Sequence, residues 1–158
     1  MSGLFSKRFW SDCGRFMVNP EVVASFLGNL RRYLEKLHLL AAVPQDVFLN
    51  DFTKVESAKY LLQVSIACCL DIAHHIIADE GYRTPGSYSD AFVVLSENGV
   101  VPLDFLPVLK KMASFRNRLV HLYWEVDNRT VYRILQENLG DFEQYISYIV
   151  DFIQRSKA

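Results

Sequence analysis

The run Arg116-Asn117-Arg118-Leu119-Val120-His121-Leu122-Tyr123-Trp124 holds the side chains best suited to acid–base chemistry on a phosphate. A histidine titrates near neutral pH, so it can take a proton from a ribose 2′-hydroxyl or give one to a leaving 5′-oxygen. An arginine grips a phosphate through paired N–H bonds and stabilises the charge that builds on it. When the 2′-hydroxyl is the nucleophile, such a cleavage needs no metal. On a helix, Asn117 and His121 share a face, and Arg116 shares a neighbouring one with Tyr123. Arg116 and His121, five apart, stand about 140° from each other around the axis. A single phosphate meets both only between the two rows, with the long arginine reaching round. A second copy packed about a two-fold axis would close the site from the other side, so a homodimer is expected.

From Phe105 to Trp124 there is no acidic residue, yet Lys110, Lys111, Arg116 and Arg118 are present. The plain reading of such a run is a solvated helix face. The functional reading gives Lys110, Lys111 and Arg118 to an RNA backbone. The whole chain carries 17 Lys and Arg against 18 Asp and Glu, a net charge of −1, so a general basic coat is excluded and any such surface is local.

The elements that must position these residues are helical. Asn19-Pro20-Glu21 reads as N-cap, N1 proline and acidic first turn. Val23, Phe26, Leu27, Leu30, Leu34, Leu37 and Ala41 then recur at helical spacing until Pro44 ends the helix. A second helix runs from Asp51 or Thr53 to Glu80, with Val55, Ala58, Leu62, Ser65, Cys69, Ile72 and Ile76 as its buried stripe and Gly81 just past its end. Thr84-Pro85-Gly86-Ser87 is a loop. A short helix covers Ser89 to Asn98. A fourth opens at Pro102 and extends to Val126, which would put Tyr123 on the face of Arg116. After a cap at Asp127-Asn128, a last helix runs to Arg155, with Val131, Leu135, Leu139, Phe142, Ile146, Ile149 and Phe152 inward. No segment alternates convincingly as a strand. The expectation is an all-α, up-and-down bundle of four long helices plus one short helix.

At 158 residues the chain has the size of one domain, and its 51% hydrophobic content excludes a disordered chain. Residues 1–18 show no clean period and read as an N-terminal extension, with Met17 as an alternative start and residues 19–158 as a single domain. The longest charge-free apolar stretch, Tyr60 to Leu70, has 11 residues, well short of the roughly 20 that span a bilayer. No signal peptide is evident, and Cys13, Cys68 and Cys69 suit buried thiols in a reducing compartment. A soluble cytoplasmic protein is expected.

Arg116, His121 and Tyr123, as Arg-x4-His-x-Tyr, resemble the signature of HEPN domains of the HepT-like toxin family. Leu70-Asp71-Ile72-Ala73-His74, Thr84-Pro85, Gly99 and Arg116-Asn117 follow in matching order, and the similarity covers roughly residues 20–155. The resemblance implies a metal-independent endoribonuclease toxin of a type VII-like toxin–antitoxin system, with Arg and His at a dimer interface. It cleaves cellular RNA, with tRNA as one candidate, and leaves a 2′,3′-cyclic phosphate and a 5′-hydroxyl. Arg116 would bind the scissile phosphate and His121 would be the general acid or base. Asn117 would orient the arginine, and Asp71 would hold the cluster from the second helix. The implied partner is a minimal nucleotidyltransferase antitoxin that transfers AMP to Tyr123.

Other constellations are weaker. Asp71, His74 and His75 have spacings that suit two metal ligands, but no third strong ligand is near; the expectation is no metal and no cofactor. Cys68-Cys69 reads as core. Ser114 and His121 share a face without the acid or oxyanion pattern of a hydrolase. The seven glycines form no phosphate loop, so the chain is not expected to bind ATP itself. The rival readings are a non-catalytic adaptor or substrate-recognition subunit of that nucleotidyltransferase, and a plain helical interaction module.

Overall fold

A computed structural model describes residues 19–157; the expected N-terminal extension, with Cys13 and Met17, lies outside the described residues. The described part is all-α, with α1 (Pro20–Ala41), α2 (Gln45–Leu49), α3 (Phe52–Glu80), α4 (Tyr88–Glu97), α5 (Leu106–His121), α6 (Asn128–Glu137) and α7 (Leu139–Lys157). No strand occurs among the described residues.

The helix starts follow local capping chemistry. The Asn19 side chain accepts from the Glu21 N–H ahead of α1, Asp51 does the same for Thr53 at α3, and Ser87 accepts from the Asp90 N–H at α4. Gly81 ends α3 at φ 68°, where a Cβ would be strained, and the Tyr82 N–H closes onto the Ile77 carbonyl.

The core is built around α3, which packs against α1, α2, α4, α5 and α6. Every residue of its expected stripe is buried. α1 lays Val23, Leu27, Leu30, Leu34 and Leu37 against it. Each such side chain contributes about 1.5–3 kcal/mol of apolar burial. From α7, the buried Tyr145 hydroxyl donates to the Cys69 carbonyl at 2.8 Å. Burial pushes the Tyr145 phenol and the Cys69 thiol well up, and the Cys68 thiol up, so this cysteine pair is inert core. By length and composition α3 could cross a membrane, but 61% of its most apolar window is buried under the other helices. Counting only charge-free runs hid this, because Lys59 and Asp71 interrupt the sequence while α3 continues through both.

Four boundaries differ from expectation, the first at the expected fourth helix (α5), which opens at Leu106 after a 3₁₀ turn over Leu103–Phe105 rather than at Pro102. A short α2 fills the connection after Pro44, held by the buried Phe48. The last helix is two, parted at Asn138. Asn138 and Gly140 are poor helix formers, and the Asn138 amide turns to donate to Asp141 at 3.1 Å. α5 stops at His121 rather than Val126. Leu122 leaves helical geometry at φ −136°, ψ 38°, and Tyr123–Glu125 form a single 3₁₀ turn. The chain must turn there so that Val126 can bury and Asp127 can cap α6. Tyr123 therefore does not continue the Arg116 face.

Candidate functional site

α5 leaves the core with one polar stripe uncovered. Lys110, Ser114, Asn117 and His121 follow one another at three- and four-residue steps, and all four are exposed. Arg116 lies on one side of this stripe, about 100–140° round the helix, and Lys111 with Arg118 on the other. Lys110 thus lies in the row of His121, whereas Lys111 borders a cleft between α3, α5, α6 and α7 and faces elsewhere.

Arg116 is half-buried, with its Nε enclosed and without a hydrogen-bond partner. Its guanidinium stacks on the Tyr88 ring, 4.9 Å from the centroid, and its Nη1 donates to the Asn117 side-chain oxygen at 3.3 Å. Tyr88 in turn meets the His74 ring edge-on at 6.3 Å. Desolvation raises the Asp71 carboxyl above its usual range, and the charges of His74 and Arg116 oppose that shift. Asp71 forms no ion pair with Arg116; it acts on the group through space. A guanidinium anchored on a ring and on Asn117 has further N–H groups that could meet an anion.

Tyr88 was missed from the sequence, where it reads only as the end of a loop. Its local signal was an aromatic residue directly after the Ser87 cap. Its role comes from a clamp: Arg83 donates to Asp90 at 2.8 and 2.9 Å and to Glu97 at 2.9 and 3.0 Å. Asp90 also accepts from the Gly86 N–H at 2.8 Å. The Arg83 bonds hold the Asp90 carboxyl well below the usual range and lower that of Glu97. The loop is thereby tied to α4, and Tyr88 is placed over Arg116.

His121 is the last residue of α5, and its side chain makes no hydrogen bond or ion pair among the described residues. Tyr123 and Trp124 follow it, 55% and 67% exposed, with rings edge-on at 5.5 Å. Tyr123 is thus no core aromatic. His74 and His75 diverge, one to Tyr88 and the other to within 3.0 Å of Asp79. No cluster of three or more metal-ligating side chains occurs among the described residues. A cleft of about 760 Å³ lies between Gly99–Leu103 and the end of α7 and contains none of the expected site residues.

Residues 30–149, well over half of the chain, match the family described as "Ribonuclease HepT-like". The chain belongs to the HepT-like ribonuclease family. It is 30% identical over 129 residues to the mRNA nuclease HepT of Shewanella oneidensis, covering 82% of this chain and 96% of that one. It is 24% identical over 138 residues to the tRNA nuclease HepT of Aphanizomenon flos-aquae, covering 86% and 92%. The fold matches the tri-AMPylated Shewanella oneidensis HEPN toxin, solved in complex with its MNT antitoxin, with a TM-score of 0.76 and 30% identity over 82% of this chain and 97% of that one. By family, then, this all-α bundle is a ribonuclease.

Proposed function

We propose that this ribonuclease is the toxin of a toxin–antitoxin pair in the cytoplasm, cleaving cellular RNA as a homodimer without a metal. The observation that carries this is the pairing, on one helix, of an anchored arginine with a free histidine. Arg116 is held by Tyr88 and Asn117, ready for a phosphate, while His121 stands bare at the helix end.

In the cleavage, the 2′-oxygen attacks phosphorus, the 2′-proton passes to a base, the bond to the 5′-oxygen breaks, and that oxygen takes a proton from an acid. Two proton carriers are needed and each chain offers one His121, so a two-fold pairing of the exposed stripe supplies both. Arg116 balances the growing negative charge. Lys110, in the row of His121, guides the backbone, with Arg118 flanking; Lys111, turned to the other cleft, takes no part. Asn117 and Tyr88 position the arginine, and Asp71 tempers its charge.

Control fits the exposed phenol of Tyr123. A nucleotidyltransferase partner would join the phenolic oxygen to the α-phosphorus of ATP, breaking the α–β phosphoanhydride, releasing pyrophosphate and taking up the phenolic proton. The relative solved with its antitoxin carries AMP groups, which supports this reading.

Expression without the partner should arrest growth, and His121→Ala should abolish the arrest. Purified protein should cleave total RNA in EDTA and leave cyclic phosphate ends. Arrest that persists in His121→Ala, or cleavage lost in EDTA, overturns this reading. Coexpression with the partner should add adenylate-sized mass increments that vanish in Tyr123→Phe.

A further inference from the structure

Tyr123 opens onto a groove of about 310 Å³ between α3 and the end of α5. We propose that this groove is a built seat for the adenylyl group attached to Tyr123, one that holds the phosphate at Lys59 and the base against Tyr60. The proposal rests on the reading of Tyr123 as the AMP acceptor and adds where the nucleotide lies.

The floor is one face of α3, since Glu56, Lys59, Tyr60 and Gln63 recur at helical steps; Leu119 and Val120 form the opposite wall beside Tyr123. The volume suits one mononucleotide. The Lys59 side chain is only 12% exposed, unusual for a lysine, and its counter-ion Glu56 is 3.8 Å away. Its ammonium therefore has donors to spare for a phosphodiester. Tyr60 is 61% exposed and offers a face on which a base can stack. The Gln63 amide has both the donor and the acceptor that an adenine edge pairs with.

This placement changes how silencing works. Tyr60 and Asp71 are eleven residues apart on α3, so they share a face and lie roughly 16 Å apart along the axis. A phosphate at Lys59 is then beyond the screening length of about 8 Å from the Arg116 neighbourhood. The adenylyl group does not compete with the substrate phosphate for the guanidinium, as continuation of the Arg116 face through Tyr123 would have required. It covers the surface next to His121 where an RNA strand or the second copy must lie.

The test is an AMP titration of the unmodified full-length protein, followed by amide NMR. Tethering at Tyr123 supplies an effective concentration in the millimolar range, so a free-AMP Kd of about 1 mM or tighter fills the seat. Saturable shifts should centre on Lys59, Tyr60, Gln63 and Val120. Tyr60→Ala should weaken binding about tenfold or more. Lys59→Gln should weaken AMP but not adenosine. Glu56→Gln, which removes a like charge, should tighten AMP about threefold. The proposal is overturned by no saturable shift at about 10 mM AMP, by shifts centred elsewhere, or by inorganic phosphate binding as tightly as AMP. It is also overturned if these amides move with protein concentration alone, because a second copy then occupies the groove. The mass increments on coexpression are read separately: their absence with AMP binding intact sinks the Tyr123 reading and leaves the groove standing as a nucleotide site.

Discussion

Arg116 and His121 lie five residues apart on α5, yet the fold treats them in opposite ways. Around Arg116 everything is tied down: Arg83 locks the loop to α4, α4 presents Tyr88, and Tyr88 and Asn117 hold the guanidinium. Around His121 nothing is. The helix ends, the chain turns through exposed aromatic residues, and the imidazole has no partner among the described residues. On the proposed reading, the phosphate-binding end profits from rigidity within one chain. The proton-transfer end of the proposed site is left to be completed by a second surface.

The most severe way to break this comparison is to remove either pole. His121→Ala should lower RNA cleavage about 10²–10⁴-fold, and Arg116→Ala about 10²–10³-fold, with circular dichroism and Tm close to those of the unaltered protein. The exposed histidine should cost nothing in stability when removed. A large fall in Tm for His121→Ala would mean that the residue is structural.

Tyr88 sharpens the contrast. If its ring only holds the guanidinium, Tyr88→Ala should lower kcat/KM about two- to fivefold, as expected for a partly exposed cation–π contact. Tyr88→Phe keeps the ring face and should restore the rate. Failure of Tyr88→Phe to do so would show that the hydroxyl itself matters.

The legible parts of this molecule were the local ones. Asn19-Pro20, Asp51 and Gly81 announce helix ends through their own side chains or φ preference, and the α1 and α3 stripes follow from period alone. The break at Asn138 was hidden because Leu135, Leu139 and Phe142 keep the apolar period running through it. The end of α5 was hidden because Leu122-Tyr123-Trp124 look like more helix, whereas burial of Val126 decides the turn. The stacking of Tyr88 on Arg116 pairs residues 28 apart across a clamped loop, and no spacing rule encodes that.

Arg83→Ala acts on the tied end one step further away. It should lower Tm by at most about 4 °C, because the pairs are exposed, and reduce cleavage less than Tyr88→Ala does. A larger loss of activity than in Tyr88→Ala would make the loop itself part of the site.

The smallest effect is acid sensitivity. The Asp51 carboxyl is lowered to about 2, first by its bond from Lys54 and then by Thr53, and Arg83 lowers Glu97. Groups with depressed values stabilise the fold fully above their ordinary range and lose that contribution as pH falls through the lowered value. Thermal melts should therefore weaken between about pH 4 and pH 2. Arg83→Ala should show a shallower loss over the same window, and an identical slope would remove the clamp from this explanation.

The proposed site needs two copies of the chain. After subunit exchange, an equal mixture of unaltered and His121→Ala protein should cleave RNA at about a quarter of the rate of the same total of unaltered protein, because only unaltered pairs carry both histidines. A rate of about half would show that one histidine suffices for each site, and would contradict a site that needs both.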